Sequence, residues 1–172
     1  MKFAYADPPY LGQGKLYAKN HPEARAWDDL ATHDDLIRRL SAEFPDGWAM
    51  SCSSPSLKRI LPLCPDDVRV MAWVKPFCIF RPNVGVAYAW EPVIVRGGRR
   101  RTRQQKTVRD WCSVNITLRK GLTGAKPREF CLWLLSVLNF ELGDTLHDIF
   151  PGTGIMTESV DGFLVDMQRR QQ

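Results

Sequence analysis

The sequence predicts an α/β fold, a twisted, mostly parallel sheet with helices on both faces. Three observations predict it. Strand and helix patterns alternate along the chain. A short apolar run, Phe3-Ala4-Tyr5-Ala6, ends in the rigid tetrapeptide Asp7-Pro8-Pro9-Tyr10, and near the other terminus a strand pattern passes through Phe150-Pro151-Gly152-Thr153-Gly154 into a helix. Alternation of this kind builds a sheet between helical layers, and such sheets bind ligands at the carboxyl ends of their strands. Both motifs follow strands, so both can open onto one edge.

Each element has a local cause. Phe3–Ala6 is a buried strand stopped by two prolines, which fix φ, remove two N–H donors and leave carbonyls with no ladder partner. Thr32-His33-Asp34-Asp35 marks a helix start with Thr32 as its cap; Leu36, Ile37, Leu40 and Phe44 share one face, and Pro45 and Gly47 close the helix. The strand Trp48-Ala49-Met50-Ser51-Cys52 precedes a short helix from Ser56 to Leu61. The run Val68 to Val74 is rich in strand formers and ends at Lys75-Pro76. Residues 79–87 carry Arg81-Pro82 and Asn83-Val84-Gly85, which suit turns. The next strand, Tyr88 to Val95, contains Glu91-Pro92, which places it at a bulge or near a sheet edge. Pro127 opens a helix to about Glu141 that is apolar round most of its circumference, hence largely buried, with Gly143 as its stop. Thr145 to Phe150 is the strand that leads into the glycine turn, where the missing side chain lets a ligand approach the backbone closely.

Composition bounds the rest. The chain has 172 residues, 44% hydrophobic and 25% charged, which suits one soluble domain over 1–172 with one sizeable core. No apolar run approaches the roughly 20 residues of a membrane span, and no signal-peptide pattern is seen, so a cytoplasmic protein without membrane contact is expected. Cys52, Cys64, Cys78, Cys112 and Cys131 are odd in number and widely spaced, which argues against a disulfide framework and a zinc site. His21, His33 and His147 are equally scattered, and His147 in its apolar run is expected to be a hydrogen-bonded core residue. No metal is expected. Positive charge clusters at Arg96, Arg99, Arg100, Arg101, Arg103, Lys106 and Arg109 with no acid among them, around the flexible pair Gly97-Gly98. A solvated loop is one reading; a mobile arm over 97–109 that contacts phosphates of a nucleic acid is the other.

The tetrapeptide has its own chemistry. A carboxylate, two fixed carbonyls and an aromatic ring suit a flat heterocycle bearing an amine: acceptors for its N–H groups and a π-face to stack on.

These pieces together resemble the amino-group DNA and RNA methyltransferases that use S-adenosylmethionine, the adenine-modifying families in particular. Their catalytic Asp-Pro-Pro-Tyr is matched by residues 7–10, their Asp-x-Phe-x-Gly-x-Gly cofactor turn by Asp148, Phe150, Gly152 and Gly154, and their Lys-Pro helix running to Gly-Asp by Lys126-Pro127 through Gly143-Asp144. The order is the permuted one of the β-type DNA enzymes and the mRNA adenine methyltransferase-like family. Trp73-Val74-Lys75 and Glu91-Pro92-Val93-Ile94-Val95 are similar to the latter, although that family usually has tryptophan where this chain has Tyr10. The resemblance implies a Rossmann-like methyltransferase fold and in-line transfer to adenine in DNA. Adenine in RNA, the cytosine amine and a degenerate nucleic-acid-binding subunit are the alternatives.

It also implies roles. Asp7, Pro8, Pro9 and Tyr10 are catalytic, with the amine donating to Asp7 and the Pro8 carbonyl and Tyr10 stacking on the base; Asp7, Lys126, Asp148, Phe150, Gly152 and Gly154 hold the cofactor, Asp148 meeting its ammonium. Lys75 is either a polar group on the pocket wall or a strand-end lysine in solvent; apart from the resemblance, charge clustering alone makes Arg99, Arg100, Arg101 and Arg103 the expected substrate contacts. The family continues past the cofactor turn to another strand ending in a ribose-binding acid. Here Phe163-Leu164-Val165-Asp166 follows after a short spacer, so Asp166 is either that acid on a shortened edge or a charge in a frayed tail. No long insertion resembles a separate target-recognition domain, so sequence specificity is either low or supplied by a partner subunit or a second copy of the chain.

Overall fold

A computed structural model describes residues 1–18, 22–77, 82–116 and 125–169. His21, Cys78 and positions 79–81 of the expected loop lie outside these residues. Six strands form one sheet: β1 (Lys2–Ala6), β2 (Gly47–Ser51), β3 (Arg69–Val74), β4 (Trp90–Gly97), β5 (Trp111–Ser113) and β6 (Thr145–Asp148), in the order β5-β3-β4-β2-β1-β6. β1 runs parallel to β2 and β6, and β3 runs parallel to β5, while β4 is antiparallel to both its neighbours. The sheet is therefore mixed, and it turns one strand end for end.

Helices cover both faces, as the alternation requires. A short helix, α1 (Gly14–Tyr17), follows β1; on one face of the sheet α4 (Arg128–Leu138) and α5 (Ile155–Arg169) cover Phe3, Tyr5, Ala49, Trp73 and Val93, and on the other α2 (Leu30–Glu43) and α3 (Leu57–Ile60) cover Ala4, Ala6, Trp48, Met50 and Ile94. Successive strand residues thus serve opposite cores. β1 and β2 are buried almost throughout because they lie near the centre of the sheet.

Several local expectations are corrected. The cap of α2 is Asp29, whose side chain accepts from the Ala31 N–H; the Thr32 hydroxyl instead donates to the carbonyl of Ala26. α4 stops at Asn139, in the left-handed region at φ 52°, and not at Gly143. Asparagine tolerates that conformation, so it ends the helix before glycine is reached. β4 starts at Trp90 and is central, with Pro92 opposite Ala72 and no bulge. The proline is tolerated because its ring nitrogen falls where β2 has ended: Cys52, just past β2, donates to the Pro92 carbonyl and no return bond is needed. His147 is exposed on edge strand β6, its ring tilted against Phe44, so it is no core histidine. Phe163 to Asp166 belongs to α5 and is neither strand nor tail.

The basic segment also differs from a free arm. Gly97 closes β4 against Gly47 at φ 69°, where a Cβ would come within 2.7 Å of the Asp46 carbonyl; this glycine permits close approach and does not supply a hinge. Gly98 then donates to Asp46 and the Arg99 N–H to the Leu138 carbonyl. Arg99 binds both oxygens of Asp144 through one guanidinium nitrogen, at 2.6 and 2.8 Å, and Arg101 donates to the Ser136 and Lys106 carbonyls. No described helix is long and apolar enough to cross a membrane.

Candidate functional site

The carboxyl ends of β1 and β6 meet, with Tyr5 in register with Asp148. The prolines stop β1 one residue later and present Asp7 beside that end, while among the described residues no backbone donor meets the carbonyl of Pro8 or Pro9. β4 runs the other way, so its start, Glu91, arrives at this same edge. The segment before α4 brings Lys126, and the end of β3 brings Lys75.

These side chains interlock. Lys126 Nζ lies 2.8 Å from both Asp7 carboxylate oxygens, donates to the Tyr10 hydroxyl at 3.0 Å and stands 3.3 Å from Glu91 Oε2. Lys75 Nζ donates to Glu91 Oε1. The Tyr10 hydroxyl faces Glu91 Oε2 at 2.7 Å and Asp7 Oδ1 at 3.1 Å, and its single proton can serve only one of them. Two carboxylates and two ammoniums balance. The Lys126 side chain is 6% exposed and Glu91 14%, which leaves Asp7, at 23%, as the acid most open to an incoming group. Trp73 lies beneath, with both lysine ammoniums about 5 Å from its ring centre.

Electrostatics follow from burial and pairing. Burial pushes the Asp7 carboxyl up, against the opposing pull of Lys126. Glu91 is also penalised by burial, but Lys126 and Lys75 together outweigh that and hold it at about 2. For Lys126 burial favours the neutral amine, yet the charges of Asp7 and Glu91 prevail and raise it well above the usual lysine value. Burial and the nearby Asp7 charge keep Tyr10 a neutral phenol. Asp148 is pushed up to about 6, chiefly by burial, and the charge of Asp7 adds to the push while a bond from the Phe150 N–H works against it. Asp7 and Asp148 thus share this edge, and among the described residues the ion pairs at it reach Asp7 and not Asp148.

The glycine turn completes this edge. Gly152 and Gly154 have φ of 48° and 77°, and a Cβ on Gly154 would touch no described atom, so the turn leaves an open cradle ahead of α5. Phe150 packs edge-on against Trp27 at 5.1 Å, walling the cradle on the side of the second core.

Asp7, Pro8, Pro9, Tyr10, Lys75, Lys126, Asp148, Phe150, Gly152 and Gly154 therefore gather at one edge. Lys75, 13% exposed and tied to Glu91, is not the solvent-facing lysine. Tyr10 is 9% exposed and its hydroxyl is turned into the ion cluster, so little of its ring is presented outward. Asp166 is not brought in: it lies exposed 11 residues along α5 from Ile155, about 17 Å at 1.5 Å per residue. Arg99, Arg100, Arg101 and Arg103 are not brought in either, because β4 delivers them to the opposite end of the sheet, beside Gly47 and the end of α4. Sequence reasoning noted Glu91 only as part of a segment; the signal for its role was an acid beside proline at the head of a central strand.

No protein-family model matches the chain, and no curated protein matches it. Solved structures share the fold. The M1.HpyAVI–SAM complex aligns with a TM-score of 0.57 at 15% identity, covering 94% of this chain and 77% of its own. TTHA0409 from Thermus thermophilus, provisionally described as a DNA modification methylase, aligns with a TM-score of 0.57 at 16% identity, covering 92% of this chain and 75% of its own.

Proposed function

We propose that this protein transfers a methyl group from S-adenosylmethionine to the exocyclic amine of adenine in DNA. The observation that carries the reading is the pairing at one sheet edge of Asp7, beside a Pro8 carbonyl that meets no backbone donor among the described residues, with Asp148 ahead of the open glycine cradle. The fold neighbours support it, one being a complex with SAM and the other described as a DNA modification methylase.

The residues suit the cofactor. Asp148 could meet an ammonium and would be ionised by it, and the glycine turn could admit a nucleoside against the backbone. S-adenosylmethionine would supply an electrophilic methyl group. Asp7 and the Pro8 carbonyl accept the two N–H groups of the base amine, which aims its lone pair out of the ring plane. As nitrogen bonds to the methyl carbon and the carbon–sulfur bond breaks, positive charge grows on nitrogen, and both acceptors strengthen with it. Asp7, already raised by burial, then takes the surplus proton. To free that carboxylate Lys126 must turn from Asp7 toward Glu91, 3.3 Å away. Tyr10 orients Asp7 through its hydroxyl.

The Lys126–Asp7 pair also favours a second reading, a non-catalytic nucleic-acid-binding subunit whose acid is permanently occupied. Transfer of a labelled methyl group to single- and double-stranded DNA and RNA separates the two, with Asp7→Ala as the control. Transfer that the variant abolishes supports the enzyme; a parent chain that neither transfers nor binds S-adenosylmethionine sinks it. Nucleoside analysis of the product distinguishes adenine from cytosine. Target recognition by a second copy or partner subunit belongs to the same reading, and light scattering with and without DNA tests it.

A further inference from the structure

On the same sheet edge, beside the acid cluster, lies a pocket of about 440 Å³ lined by Ser54, the 83–88 loop and Trp90. Its rim is aromatic and open: Tyr88 is 56% exposed, Trp90 38% and Val86 83%. Asn83, in the left-handed region at φ 64°, turns the chain into this rim, and the Lys75 N–H donates to the Ala89 carbonyl, tying the loop to the strand end that carries the Lys75–Glu91 pair. Glu91, next after Trp90, is part of the acid cluster, so pocket and cluster share a backbone. β4 is two strands from β1 in the sheet, about 10 Å at the usual strand spacing, too far for the base that Asp7 holds and suited to its neighbour. Lys58 and Arg59, on the single helical turn that the chain enters from Ser54, are exposed and have no ion-pair partner among the described residues. The basic loop after Gly97 cannot serve here, since it leaves from the far end of the sheet.

We infer that this pocket holds the base flanking the target on a single strand, stacked on Trp90 and Tyr88, with Lys58 and Arg59 at the adjoining phosphates. The inference rests on the nucleic-acid reading above and gives it a substrate form: an unpaired strand, because a stacked duplex cannot offer a second base to a side pocket. Aromatic platforms of this kind accept any base, so the pocket positions the strand without reading its sequence.

The test is binding of a fluorescent nine-nucleotide single-stranded DNA with one central adenine, measured by anisotropy without methyl donor. An abasic site is moved through each position. In the parent chain an abasic site at one nucleotide flanking the adenine should weaken binding roughly five- to 150-fold, the range that loss of one stacked base gives. Tyr88→Ala/Trp90→Ala should lose the same factor with intact DNA and be insensitive to that abasic site, while Trp90→Phe retains both affinity and sensitivity. Tyr88→Ala alone, in an exposed loop, guards against misfolding and should show a partial loss. Parent-like affinity in the double variant, or equal abasic sensitivity in parent and variant, overturns the inference. Methyl transfer to the same oligonucleotide is scored separately. The binding pattern without transfer condemns the enzyme reading and leaves the pocket standing, whereas transfer without the pattern does the reverse.

Discussion

Glu91 holds two lysines and a tyrosine in place by being surrounded. Its carboxylate stays ionised down to about pH 2 against an ordinary value near 4.5, so its contribution to stability is complete above the ordinary value and is lost as pH falls through about 2. Glu91→Gln takes from Lys75 the carboxylate it is paired with and leaves Lys126 with Asp7. Breaking a buried pair of this kind costs roughly 3 kcal/mol, and a urea unfolding midpoint should fall accordingly. Asp148 works in the opposite direction. With a carboxyl at about 6 it burdens the free protein above that pH, so stability should rise as pH falls from 7 toward 4, and Asp148→Asn should stabilise the free chain at pH 7.5 by about 1 kcal/mol after allowance for solvent screening. The same variant should bind S-adenosylmethionine far more weakly, and the parent's affinity should drop below pH 6; calorimetry at pH 5.5 and 7.5 measures both. Unchanged affinity across that interval would remove Asp148 from the cofactor's ammonium. The sequence showed Asp7 and Asp148 because motif residues announce themselves. It did not show where the Tyr10 hydroxyl points, since that depends on Glu91 and Lys126 arriving from strands and loops far along the chain.

At the scale of elements, α2 offers a direct comparison between two caps. Asp29→Ala should cost about 1 kcal/mol of unfolding free energy and Thr32→Ala less, because only Asp29 satisfies an otherwise unpaired helix N–H. Equal losses would restore Thr32 as the cap. Most strands and helices were legible from periodicity, and their errors have physical causes. Thr32 looked like a cap because threonine followed by an acid three residues on is a real pattern, yet an aspartate three residues earlier met the first free N–H. Pro92 looked like an edge marker because proline cannot complete a ladder; which side lacks a neighbour depends on where β2 stops, and no local pattern carries that. The final segment stands where the resembled family carries a further strand, but here it is part of α5, and Phe163 packs from that helix against Phe140.

Across the whole molecule the two ends of the sheet are chemically different. One carries the acids, the glycine cradle and the aromatic pocket; the other carries the arginine loop, partly consumed by internal pairs. Arg99→Ala should lower the thermal midpoint because it strips Asp144 of a partner; Asp144 is held below the usual carboxylate range despite its burial by the chain's amino group and Arg99, and that support is lost as pH falls. Arg100→Ala and Arg103→Ala should leave the midpoint unchanged. If the loop reaches phosphates, each also lowers the slope of log K against log salt by about one. The fold class was legible in full, because alternation and two strand-end motifs suffice for it. The reversal of β4 was not, and that reversal decides which charges belong to the site: charge clustering alone cannot say to which end of a sheet a strand delivers it.

The register of β1 with β6 has a temporal consequence. Lys2 pairs with Thr145, roughly 140 positions later, so the strand that displays Asp7 gains its second neighbour only after that whole stretch has been synthesised and folded back; pairings this distant in sequence form slowly. Donor binding should therefore return only in the slowest phase of refolding from urea, behind the burial of Trp48 on β2, the strand between β1 and β4, as followed by fluorescence.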